Sequence, residues 1–166
     1  EHIKESLELC QTEEQRIEVE DIYAQILWDV RDHEGAAQYY YSVANRWQIL
    51  GNIEKYSEAI YQSAQNYFHS SRFDVAESHS RKAIEVVKND TTDNGRKKYI
   101  KYLICLGDAL FYQQKYKEAL EIYIVELEEC QEILPNTEKH ADALEDIGKV
   151  LVSLQQFDKA KLYLEI

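Results

Sequence analysis

HEGAA, His33 to Ala37, opens like a zinc-protease helix, where two histidines four apart hold the metal and the glutamate acts as base. Position 37 is alanine, so the second ligand is missing. His69 and His79 have no Cys or Asp partner at ligand spacing, and His2 and His140 read as surface residues. The three cysteines, Cys10, Cys105 and Cys130, are scattered; they suit neither a metal site nor a disulfide framework and fit a reducing compartment, cytoplasmic or nuclear. No glycine-rich phosphate loop is present, and no nucleophile sits in a recognisable setting. The 31 Asp and Glu residues are spread along the chain, and no pair stands out for acid–base work. These residues predict no enzyme, no cofactor, no metal and no small-molecule substrate.

The 166 residues carry a net charge of −12, a pI near 4.9 and a mean hydropathy of −0.56. Such a balance argues against nucleic acid, whose binding requires phosphates to be neutralised by Lys and Arg. An apolar or basic peptide is the easier partner. No apolar run approaches the ~20 residues of a membrane span, and no signal peptide is visible. The chain starts and stops inside helical patterns and contains no methionine, so it reads as a piece of a longer protein.

What would position a binding site is a repeat. Gly107 and Ala119 are twelve apart, as are Gly148 and Ala160, Ala64 and Ala76, and Ala24 and Ala36. Three residues before each second alanine stands His33, Phe73, Tyr116 or Phe157. The alanines Ala36, Ala76, Ala119 and Ala160 step by 40, 43 and 41. Within a unit, Leu103, Leu106 and Leu110, then Ala119, Ile122 and Tyr123, recur at helical spacing. Each unit is thus a pair of helices that approach closely at small residues, with an aromatic beside the turn. One apolar side stays bare until a neighbour stacks on it. Five glycines and one proline support an all-α fold.

The helix pairs are expected at about 13–30 with 33–50, 53–69 with 72–88, 97–113 with 115–134, and 138–154 with 157 onward. Gly51 is expected to end one helix, Pro135 another, and residues 89–95, NDTTDNG, to form a loop. As units these are 12–51, 52–90, 96–135 and a truncated 136–166, with 1–11 closing an earlier unit, all in one domain.

Leu103, Gly107, Leu110, Tyr116, Ala119 and Tyr123, and again Leu144, Gly148, Leu151, Phe157 and Ala160, resemble the tetratricopeptide repeat. The first two units depart from it: Ala24 and Ala64 replace glycine, and Ser80 sits where an aromatic is usual. The step exceeds the usual ~34 residues and is similar to the long-repeat type of kinesin light chain, LGN, Tonsoku-like and Rap proteins. HEAT repeats share a step near ~40, but the twelve-residue spacing favours the tetratricopeptide class. The resemblance implies a right-handed α-solenoid of antiparallel hairpins whose first helices line a concave groove.

Aligned on the small residue, the implied groove rows contain Gln25, Gln65, Asp108 and Lys149; Asp21, Tyr61, Ile104 and Glu145; and Trp28, Phe68, Phe111 and Val152, followed by Asp29, His69, Tyr112 and Ser153. Three aromatics at one position would make good anchors, or else would finish the core against the adjacent helix. The groove is acidic, with Glu18, Asp21, Asp29, Asp108, Asp142 and Glu145 against Lys101 and Lys149. The clamp of Lys, Arg and Asn with which some tetratricopeptide domains hold a terminal carboxylate is missing: Asp21, Gln25, Tyr61 and Gln65 stand there instead, with Lys101 alone in the third unit, so an acidic C-terminal tail is a poor candidate ligand. The expected partner-binding residues are therefore Trp28, Tyr61, Gln65, Phe68, Asp108, Phe111, Tyr112, Glu145 and Lys149. The predicted function is a protein-interaction module of an adaptor or scaffold, taking an apolar and basic segment of a partner. A peptide-sensing regulatory domain of the Rap kind and a structural subunit of an assembly are the alternatives.

Overall fold

The computed structural model describes residues 2–164, the side chains of His2 and Lys4 excepted; the expectation for His2 and the outermost ends of the first and last units lie outside the described residues. The described residues form nine α-helices: α1 (His2–Leu9), α2 (Glu13–Asp29), α3 (His33–Ile49), α4 (Ile53–His69), α5 (Phe73–Val87), α6 (Asp93–Tyr112), α7 (Tyr116–Ile133), α8 (Glu138–Ser153) and α9 (Phe157–Leu164). They belong to two compact units, Glu1–Val86 and Val87–Ile166. In the first, α3 packs on both α2 and α4; in the second, α6, α7, α8 and α9 pack in succession.

The twelve-residue spacing has a steric reason. Ala24, Ala36, Ala64, Ala76 and Ala119 are wholly buried, and Ala160 nearly so. A Cβ on Gly107 would lie 2.5 Å from the Tyr123 ring, and one on Gly148 would lie 2.5 Å from the Leu164 side chain. Each glycine therefore admits a large residue four positions beyond the second alanine, and the two helices of the hairpin close on each other there.

The turns repeat as faithfully as the helices. After α2, α4, α6 and α8 the chain makes one residue of positive φ: Arg31, Ser71, Gln114 and Gln155, with Gly51 in the same place after α3. At each, two amides reach back to the helix, as Gln114 to Phe111 at 2.8 Å and Lys115 to Leu110 at 2.9 Å. This pairing satisfies carbonyls the helix end would leave bare and reverses the chain within three residues.

One boundary differs from expectation. α6 starts at Asp93, not near residue 97, because Thr92 caps it by accepting from the Gly95 amide at 3.1 Å, while Asp90 takes the Thr92 amide and hydroxyl. Residues that read as loop chemistry are the cap and first turn of the helix. His140 is half-buried rather than a surface residue, and its Nε2 is enclosed without a partner.

Buried polar groups tie helices together in the first unit. Ser63 Oγ donates to the Ala37 carbonyl at 2.8 Å and pairs with His79 Nδ1 at 3.1 Å, so His79 donates from Nδ1. Burial, helped by Lys82, pushes the His79 imidazole down to about 4, which keeps it neutral.

Candidate functional site

In the first unit a trough runs between α2 and α4 with α3 as its floor. One end, a cavity of about 470 Å³, is lined by Glu18 and Asp21 from α2, Tyr40 and Trp47 from α3, and Lys55 and Glu58 from α4, among others. The other end, about 320 Å³, is lined by Trp28, Gln65, Asn66 and His69. Gln25, Tyr40 and Gln62 line both, so the two ends are continuous. Both tryptophans of the chain face it.

The two ends differ chemically. Glu18, Asp21 and Glu58 make the first acidic; Lys55 there stands 4.1 Å from the centre of the Trp47 ring. Partial burial raises the Asp21 carboxyl. The second end is a wall of carboxamides closed by rings. Asn66 Nδ2 donates to the Gln62 carbonyl at 2.9 Å, and its Oδ1 is enclosed without a partner. Trp28 meets His33 edge-on at 4.7 Å and His69 at 5.1 Å. Burial and the neighbouring His33 lower the His69 imidazole.

In the second unit, Asp108, Phe111, Tyr112, Tyr123, Asp146 and Lys149 line a smaller cavity of about 90 Å³. Tyr123 Oη donates to Asp108 at 2.7 Å, and burial still lifts the Asp108 carboxyl to about 6. Lys149 is held by Glu145 at 2.9 Å and Asp146 at 3.0 Å, which raises its ammonium group. Tyr112 is the exposed ring of this site, at 58%.

The structure thus brings Trp28 and Gln65 together in one unit, and Asp108, Phe111, Tyr112 and Lys149, with Glu145 on Lys149, in the other. Tyr61 is only 3% exposed, so its ring is not offered at the surface as the sequence reading expects. The aromatic row has a shared task. Trp28 lies 4.7 Å from His33, Phe68 5.4 Å from Phe73, and Phe111 5.4 Å from Tyr116. Each ring packs on the turn aromatic of its own hairpin and is half-buried. Core and surface uses coexist in Trp28 and Phe111, whose other edges line cavities.

Sequence reasoning missed Tyr40 and Trp47, which rise from the floor helix, and Gln62, Asn66 and Asp146. The last three sit three or one position from small or groove residues, so helical geometry alone could have found them. It also missed Glu126 of α7, wholly buried with both carboxylate oxygens unpaired. Burial, with Asp146, Asp108 and Asp142 around it, lifts this carboxyl to about 8. Among the described residues no group of His, Cys, Asp and Glu is arranged to hold a metal, and no helix is long and apolar enough to cross a membrane.

No family model matches the chain, and no curated relative matches its sequence. Solved structures do match. The TPR-like repeats of a kinesin light chain from Podosopora anserina superpose with a TM-score of 0.81 at 11% identity, over 98% of this chain and 79% of that one. BtubC (BKLC) from P. vanneervenii gives 0.79 at 16% identity, over 98% and 66%. The apo form of RapI gives 0.79 at 14%, over 96% and 57%, so this chain spans little more than half of RapI. At such identities the likeness is one of fold, and the fold of this chain is that of TPR-like helical repeats.

Proposed function

We propose that the chain is a protein-interaction module of a larger adaptor or scaffold, and that the trough between α2 and α4 holds a partner's segment bearing basic and apolar side chains. One observation carries this reading: an open trough whose acidic end, Glu18, Asp21 and Glu58, continues into a wall of Gln25, Gln62, Gln65 and Asn66. Carboxamides donate and accept, and so suit a peptide main chain. Trp28 and Trp47 offer flat apolar area at low entropic cost. The acidic end attracts Lys or Arg and speeds encounter. The small site of the second unit, with Asp108, Phe111 and Tyr112, would take a single further side chain of the same kind.

Because both tryptophans line the trough, their fluorescence reports occupancy directly. Titrating the chain with short peptides that combine Lys or Arg with Leu or Phe should change that fluorescence saturably. Glu18→Gln with Asp21→Asn and Glu58→Gln should weaken binding about tenfold, and Gln65→Ala should weaken it less. Equal binding of the charge-reversed peptides, or no effect of the triple variant, would overturn the reading.

A further inference from the structure

The second unit carries a surface of opposite sign. Lys97, Lys98 and Lys101 of α6 and Lys139 in the first turn of α8 surround a cavity of about 420 Å³, with Leu134, Thr137 and Glu138 completing its lining. Four of the chain's 19 lysines and arginines line this one cavity, in a protein of net charge −12.

Helix energetics do not explain the gathering. A cation in the first turn of a helix faces the positive end of the macrodipole, so Lys139 is mildly unfavourable where it stands. The cavity also has an apolar character that a merely solvated patch lacks. The lysine stems and Leu134 wall it, while the ammonium groups stand at the ends of those stems. The start of α8, capped by Thr137, adds its own positive potential at the same place.

We infer that this cavity is a second docking site, specific for an acidic segment of a protein partner that places one apolar side chain between carboxylates. The apolar side chain would fill the space beside Leu134, and the flanking carboxylates would meet Lys97, Lys98, Lys101 and Lys139. Charge complementarity selects this occupant. The strongly negative remainder of the chain opposes an extended polyanion such as nucleic acid or an anionic membrane surface, which would have to lie along it. A short segment touches only the basic surface.

The test uses the full chain and an array of short peptides, each with a central Leu or Phe flanked by Asp and Glu, beside matched arrays with Asn and Gln or with Lys. Anionic lipid vesicles and a single-stranded oligonucleotide serve as further probes. At ~0.15 M salt the acidic peptides should bind about tenfold more tightly than the neutral ones, and added salt should narrow the gap. The variant Lys97→Gln, Lys98→Gln, Lys101→Gln, Lys139→Gln should lose the preference, and the matching four Lys→Arg substitutions should retain it. No acidic preference, an unchanged preference in the Gln variant, or tighter capture by vesicles or oligonucleotide would each overturn the proposal. The tryptophan signal of the first unit should stay unmoved by acidic peptides, which separates this site from the trough.

Discussion

Among the described residues each unit buries one glutamate, Glu20 or Glu126, and the two are treated differently. In the first unit Glu20 occupies the position that Ile60, Leu103 and Leu144 fill in the other hairpins. It is 4% exposed, and Arg46 reaches it with Nε at 3.0 Å and Nη2 at 3.1 Å while Ser42 donates a third bond at 3.0 Å. Glu13 adds a second acid to the same guanidinium. In the second unit Glu126 occupies the position of Val43 and Ala83, is wholly buried, and has no such partner. The same change, a carboxyl in an apolar slot, yields an ion pair in one place and a protonated acid in the other. The repeat tolerates a charge only where a neighbouring helix supplies its complement.

Removing that complement should produce the largest effect. Arg46→Ala would leave Glu20 enclosed and unpaired, at a cost of about 3 kcal/mol in urea unfolding, whereas Glu20→Leu with Arg46→Met should recover most of it. A loss below ~1 kcal/mol would mean the pair is solvated after all. The opposite sign is expected in the second unit. Glu126→Leu should stabilise the chain by ~2 kcal/mol or more above pH ~8, because it removes an enclosed charge.

The pH dependence follows with its sign. The folded Glu126 carboxyl titrates at about 8 against 4.5 ordinarily, so between those values the folded state holds a proton that the unfolded state has lost. Its contribution is complete below about 4.5 and is lost as pH rises through about 8. Asp108, lifted to about 6 from 3.8, acts in the same direction over a lower range. Thermal unfolding followed across that range should therefore show a fall that Glu126→Leu flattens; an unchanged slope would refute the assignment.

Two smaller effects probe the hairpins. Gly107→Ala would press a methyl group into the Tyr123 ring and should cost ~1–3 kcal/mol. Gln114→Gly should gain up to ~1 kcal/mol, since Gln114 holds a φ of 62° that glycine adopts freely. A neutral result for Gly107→Ala would show that the helices do not meet where the spacing says.

The fold was legible because its rule is short-range and repeats. A small residue, a second twelve positions on and an aromatic between them constrain one hairpin crossing, and the chain restates that constraint four times. The departures Ala24 and Ala64 did not hide it, since alanine also permits close approach. The sites were less legible because they are assembled across helices. Trp47 and Tyr40 reach the trough from its floor, which an alignment on the first helices ignores. Lys139 joins Lys97, Lys98 and Lys101 only because α8 returns beside α6. Glu126 looked like one more solubilising acid among 31, and only its register, seven residues beyond Ala119 where Val43 and Ala83 follow their own alanines, marked it as a core position.

The trough is tested most directly by nuclear magnetic resonance of the side chains that line it. On titration with a short Lys- and Leu-bearing peptide, the indole N–H signals of Trp28 and Trp47 and the carboxamide signals of Gln25, Gln62 and Gln65 should shift together and saturate together. Shifts confined to other residues, or no saturable shift at these five, would contradict the account.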